Sequence, residues 1–435
     1  MFTGNEWKKM SYITKGSIQF RKTTIALFLA SFCTYANLWN VQPLLPKFME
    51  QFDLTHTGAS LAVSVGSVSL AIGLLVSGFF SESIDRKTFM GVSMALVTFC
   101  SLGIVFASSF EILLVFRMLL GVSLAGIPAI ALAYIGEEFH PNILGRVTGF
   151  YIGGTALGGL SGRLISSLVA DFSSWRVSIF VMTVLSTVSC MIFFLTLPKS
   201  KHFHKEKAEV KKMFGYMLFH LKNECTLLVF LLGFIVMGAF VAFFNYVTFY
   251  LSEPPFEWSK WLLGWMYILY IFGSYSSSYF GKLGDQKPRY FTAALSIFIM
   301  ILGFLLTFIQ SSWIVLFGMI LIIIGFFGAH STCSAWVGKV ASDHKSQASS
   351  LYLFFYYMGS SMIGTVSGFF LRDKWLVRGC CIFIVYIRSS FVFCMAFISS
   401  VAKKSLICAS DTKKWIHGFL YSVIRIIYID YETDC

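Results

Sequence analysis

Charge is scarce in this chain. Only 13% of its 435 residues are Asp, Glu, Lys or Arg, against roughly 25% in an ordinary soluble domain. Apolar residues make up 57%, and a soluble fold of this length has too little interior to hide them. The bilayer is therefore the expected solvent for most of the chain. Acids are fewer than bases, and none falls in the middle of a predicted helix. The ten cysteines show no metal-ligand or disulfide spacing, so no metal is expected. Cys33, Cys100, Cys190, Cys225 and Cys333 stand singly, as small packing residues do. No cofactor is expected either. A secretory leader is not apparent, because the polar start, 1–22, runs into an apolar segment too long for one.

What the chain does have is long apolar runs. A spanning helix needs roughly 20 such residues. That ruler gives spans near 23–47, 57–80, 88–108, 110–134, 143–170 and 175–197. After a polar stretch come 226–250, 257–280, 288–309, 312–337, 345–371 and 376–400. The expectation is an all-α membrane protein with twelve spans in two pseudo-symmetric six-helix halves. Its parts would be an N-terminal arm (1–22), a first half (23–197), a central loop (198–225), a second half (226–400) and a basic tail (401–435). The net charge of +13 would suit nucleic acid, but the bases sit in short interruptions between apolar runs. Lys and Arg number twenty on the N-terminal side of these spans and five on the other. The positive-inside bias puts the N-terminus in the cytoplasm.

Internal repetition supports two halves. Gly78, Glu82 and Arg86 align with Gly281, Asp285 and Arg289 at an offset of 203. Tyr151 and Gly158 match Tyr352 and Gly359 at 201, and Trp175 matches Trp375 at 200. Three anchors at nearly one offset indicate duplicated halves, with a substrate site between them.

The loop Gly78-x-x-Ser81-Glu82-x-x-Asp85-Arg86-Lys87 resembles the signature between helices two and three of the major facilitator superfamily. Glu82 stands where Asp is usual, and Asp85 occupies a common glycine position. The resemblance implies a cytoplasmic latch between the halves in the outward-open state, formed by Gly78, Glu82, Asp85, Arg86 and Lys87 with Gly281, Asp285 and Arg289. A plain positive-inside loop is the alternative. Arg117, in Arg117-Met-Leu-Leu-Gly121, resembles the helix-four arginine that the family links to proton coupling. A buried guanidinium is costly and should face a cavity or a partner, unless it snorkels to the outer interface. Glu137 and Glu138, at the end of that helix, are further proton-coupling candidates. In helix five, Gly149, Gly158 and Gly162 reproduce the glycine spacing of the family's antiporter motif, and Arg163 stands where that motif has proline. With Gly154 these glycines form a smooth packing face, which packing alone also explains.

Substrate-cavity candidates are Tyr35, Asn37, Trp39, Asn40 and Gln42 of helix one, Asn245 and Tyr246 of helix seven, and His330 of helix ten. Amides and aromatic rings offer hydrogen bonds and stacking without fixed charge. Interhelical hydrogen bonding is the alternative for the amides, and a core histidine for His330. Ala133–Phe139 (AYIGEEF) and Tyr151–Gly154 (YIGG) resemble a group of bacterial efflux members in the twelve-helix drug:proton antiporter branch. The resemblance implies alternating access and proton-driven export by a monomer in the bacterial cytoplasmic membrane. Arg117 and Arg163, with no acid at mid-helix, favour a neutral or anionic substrate over a cation. Proton-coupled uptake of a small polar solute is the rival reading. A membrane enzyme would need a catalytic cluster, and only Glu137-Glu138-Phe139-His140 offers one, so no catalytic residue is assigned. A sensor or scaffold would need an appended soluble domain.

The C-terminal region breaks the pattern. Arg378 and Arg388 enter the twelfth apolar run, and half of the cysteines fall in the last 56 residues. Arginine at a helix centre costs about 2.5–3.5 kcal/mol. The segment after Trp375 therefore reads as a shifted frame replacing the twelfth helix, or as an unusual helix followed by an interfacial one.

Overall fold

The computed structural model describes residues 12–80, 84–140, 143–203, 210–341 and 344–368. It is helical throughout. In the first half, α1 (Ile18–Trp39) and α2 (Leu45–Phe52) form the first span, joined by a 3-10 turn at Gln42–Leu44. Then come α3 (His56–Phe80), α4 (Arg86–Val105), α5 (Phe110–Leu124) continued by α6 (Gly126–Glu138), α7 (Leu144–Phe172) and α8 (Trp175–Thr196). In the second half, α10 (Glu224–Ser252) follows a linker helix, α9 (Val210–Lys222). The eighth span is α11 (Lys260–Trp265), a 3-10 turn at Met266–Tyr270, and α12 (Ile271–Gln286). The last described are α13 (Arg289–Leu306), α14 (Ser312–Val340) and α15 (Lys345–Val366).

Eleven spans thus lie where the hydropathy ruler puts them, and eight of these helical runs are long and apolar enough to cross a membrane. The predicted twelfth helix, 376–400, and the tail lie outside the described residues. Two boundaries move. The first helix starts at Ile18, inside the predicted arm, because Ser17 caps it by accepting from Phe20 N at 3.0 Å. The predicted central loop contains α9, which packs on α10 and α15.

The spans alternate in direction, so one end of the bundle carries Ile18 and the other carries the 3-10 turn after α1; these are called here the near and far ends. Caps fix where helices start after each turn: Asp85 for α4, Ser109 for α5, Ser174 for α8 and Asn223 for α10 all accept from first-turn amides.

Close packing of α1 on α7 organises the first half. A Cβ on Gly154, Gly158 or Gly162 would collide with the carbonyl oxygens of Phe28, Phe32 and Ala36 respectively. These glycines let two backbones touch, as the spacing predicts. Gly149 does not belong with them. A Cβ there meets open space, because five residues before Gly154 turn it by about 140° around the helix.

Contact between the halves runs through α3 on α15 and through α7 on α11 and α12. Side-chain hydrogen bonds across this seam run from mid-depth to the far end: Tyr35–Tyr357, Gln42–Asn245, Ser67–Ser360, and Ser64 to both Ser361 O and Thr365. His56 packs its ring on Phe249 at the far rim. At the near end, Gly136, Gly149, Gly153 and Gly338 all look onto empty space. The halves are closed against each other on the far side.

Candidate substrate site

Two spans break at mid-depth toward the far end, and the breaks face each other. Pro43 cannot donate to the Trp39 carbonyl, so α1 ends at Trp39 and the chain turns through Gln42–Leu44. In the opposite half, the eighth span tightens into a 3-10 turn over Met266–Tyr270. Irregular backbone at membrane depth is tolerated where protein satisfies it or where it lines a cavity.

Arg117 satisfies one break. It is completely buried and does not snorkel. Its Nη1 and Nη2 donate to the carbonyls of Asn37 and Leu38, each at 2.9 Å, and its Nε donates to Ala62 O at 2.9 Å. Asn37 and Leu38 lie in the last turn of α1, where carbonyls lack helical partners. A guanidinium there caps the helix and opposes the negative end of its dipole. Gly66 makes room, since a Cβ on it would lie 2.6 Å from Arg117 Nη2.

Arg163 sits at the other break. Nε donates to Gln42 Oε1 at 2.7 Å and Nη1 to Gly159 O at 2.8 Å. Gln42 Nε2 in turn donates to Asn245 Oδ1 at 2.7 Å. A chain from α7 through the first-span turn to α10 therefore crosses between the halves. The guanidinium carbon lies 4.6 Å from the centre of the Trp39 ring and 4.7 Å from that of Tyr270. In these cation–π contacts the guanidinium lies over the ring faces. Only 3% of Arg163 is exposed, and no carboxylate pairs with it among the described residues. Asn40 Oδ1, Asn245 Nδ2 and the hydroxyls of Tyr267 and Tyr270 are buried without a partner among the described residues.

The structure sorts the sequence candidates. Gln42 and Asn245 meet Arg163, and Tyr35 reaches Tyr357 across the seam at 3.3 Å. Asn37 points into the first half instead, donating to Cys33 O and Ser186 Oγ. Tyr246 joins two helices of one half by donating to Gly364 O at 2.9 Å. His330 lies in an aromatic cluster, its Nδ1 3.1 Å from Tyr352 Oη and its ring 4.4 Å from Tyr356. Glu137 and Glu138 stay at the near end. Glu137 receives two bonds from Arg86, the shorter at 2.7 Å. Glu138 accepts from Ser200 Oγ and from the amides of Lys201 and His202, fastening the linker to α6.

Of the latch residues, Asp85 caps α4, Arg86 binds Glu137, and Lys87 donates to Phe194 O at 3.0 Å. All three contacts stay within the first half. Glu82 and the side chain of Asp285 lie outside the described residues, while Gly281 lies close to Ser331. Tyr267 and Tyr270 are the residues that sequence reasoning missed. Two tyrosines three apart in an apolar run, in the half opposite Gln42, were the available signal.

The Major Facilitator Superfamily profile matches residues 27–365. An uncharacterized MFS-type transporter of Bacillus subtilis, YybF, is 42% identical over 83% of this chain and 89% of its own length. The Escherichia coli inner membrane transport protein YnfM is 38% identical over 83% of this chain and 87% of its own. Among solved structures, an inward-facing bacterial homolog of the human lysosomal transporter Spinster aligns with a TM-score of 0.70 at 14% identity, covering 90% of this chain and 93% of its own. At that identity the last likeness speaks for the fold alone, while the two bacterial relatives speak for descent. With two bundles closed on one side and broken spans between them, the chain belongs to the major facilitator superfamily of membrane transporters.

Proposed function

We propose that the protein exports a small anionic or neutral molecule from a bacterial cell, driven by protons, by alternating access of a monomer. The observation that carries the reading is Arg163: a buried cation with no acid partner among the described residues, held where the halves meet. A desolvated positive charge is unfavourable unless something compensates it, and an anionic substrate does so. It would equally repel a lipophilic cation. The twenty-to-five excess of basic residues puts the near end in the cytoplasm, so the far-side closure corresponds to an inward-open state. Residues Arg86 and Lys87 then stand at the cytoplasmic face, bonded to Glu137 and to Phe194 O of their own half. Export is supported by Gly158 and Gly162, two of the three glycines that resemble the antiporter motif, which pack on α1.

A panel of drugs and metabolites, applied to null and overexpressing cells, tests the reading. Overexpressing cells should hold less of certain neutral or anionic compounds, and an uncoupler should erase the difference. Export of quaternary ammonium dyes instead would refute the charge argument. Higher content in the overexpressing cells would mean uptake. Equal content throughout would refute transport of any panel member.

A further inference from the structure

We infer that Arg163 binds a flat organic monocarboxylate edge-on, an inference that rests on the transport reading and names its substrate class. Charge comes first. Two arginines lie deep in the described spans, and Arg117 spends all three nitrogens on carbonyls. Arg163, by contrast, keeps one whole nitrogen without an acceptor among the described residues. Of its five N–H groups, one goes to Gln42 and one to Gly159, while Nη2 takes no acceptor among the described residues. What remains is the outer edge of the fork, the part that grips a carboxylate with two parallel bonds. One uncompensated charge matches a monoanion; a phosphate ester would bring a second negative charge with nothing to meet it.

Geometry then selects the approach. The Trp39 and Tyr270 rings crowd the guanidinium at 4.6 and 4.7 Å from its carbon, so its N–H edge is the favoured approach for a ligand. Tyr267, Tyr270 and Asn245 supply buried donors without acceptors among the described residues: two hydroxyls and one amide nitrogen. A carboxylate has about four lone-pair sites, enough for the two bonds of the fork and for two of these three neighbours. Beyond the charge the wall is aromatic. The Tyr270 ring lies 5.1 Å from Phe244, 5.7 Å from Phe240 and 6.1 Å from Phe327. These packed rings form an aromatic surface against which a flat apolar body packs favourably.

Binding of radiolabelled benzoate to purified full-length protein at pH 7.5, read by scintillation proximity, tests this. Benzamide has the same shape without the charge, phenylphosphonate carries an additional charge, and benzyltrimethylammonium reverses the sign. Benzoate should bind specifically, and all three competitors should displace it at least about tenfold more weakly than benzoate itself, the loss of one good charged contact. Arg163→Gln and Arg163→Lys should each lower affinity by about tenfold or more, since lysine keeps the charge but loses the fork. Tyr270→Phe, which keeps the ring, should lower it several-fold. Benzamide competing equally would overturn the carboxylate, and phenylphosphonate winning would overturn the single charge. Absence of specific benzoate binding to monodisperse wild-type protein would overturn the inference outright. These outcomes use the wild-type chain, so an unfolded variant does not rescue the inference. The broader transport reading fails differently, by equal cellular content of every panel compound.

Discussion

Replacing Arg117 with leucine should loosen the first span more than it alters any chemistry. The variant keeps the bulk roughly constant and strips the carbonyls of Asn37 and Leu38 of their donors, bonds of 2.9 Å each. An orphaned buried acceptor costs about 1–3 kcal/mol. Two would cost about 2–6 kcal/mol, offset in part because the variant no longer buries a cation. A net loss of about 2–4 kcal/mol, at roughly 2 °C per kcal/mol for a large domain, lowers the unfolding midpoint by about 4–8 °C. The assay is thermal unfolding of purified protein in detergent, followed by the surviving monodisperse peak. Gly66→Ala should shift the midpoint the same way, because its Cβ would lie 2.6 Å from Arg117 Nη2. An unchanged midpoint in Arg117→Leu, with transport lost, would refute the capping argument and return the guanidinium to proton coupling.

Two further predictions follow from packing. Gly158→Ala should reduce the yield of folded protein, since its Cβ would strike the Phe32 carbonyl. Gly149→Ala, with open space around it, should be neutral or stabilising by up to about 1 kcal/mol through helix propensity; equal loss in both would contradict the assigned faces. In a chain with other reactive cysteines removed, the pair Ser64→Cys and Thr365→Cys should cross-link under oxidant, because the two hydroxyls lie 2.5 Å apart. The cross-link should stop transport and reduction should restore it, whereas full activity of the cross-linked protein would mean the far side need not open.

The spans were legible because the bilayer demands long apolar runs whatever the packing. Facing was not. Asn37 and Gln42 look alike as amides in the first span, yet one bonds Ser186 inside its own half and the other reaches Asn245. The difference depends on where α1 ends, and Pro43 marks that end only to within a turn. The break at Met266–Tyr270 contains neither proline nor glycine, so nothing in its composition announces that Tyr270 would meet Arg163. Arg163 itself was visible as a charge in an apolar run, but its partners outside α7 come from two other spans, the first and the eighth. The resemblance carried the loop 2–3 motif as one cluster, and the structure resolves Asp85, Arg86 and Lys87 into a cap, an ion pair and a helix-end contact.

Gln42 and Asn245 are separated by 203 residues, the same interval that relates the two copies of the loop motif, Gly78 and Gly281. A position that touches its own counterpart must lie on the twofold axis relating the copies. In a symmetric dimer such a contact is isologous, each subunit offering the same side chain. Before duplication fused the halves, this position would have met itself, with identical amides facing across the axis. Fusion freed the two copies to diverge. Glutamine, one methylene longer than asparagine, bonds its twin with its nitrogen and turns its oxygen to Arg163. The centre of a nearly symmetric molecule thereby acquired a left and a right.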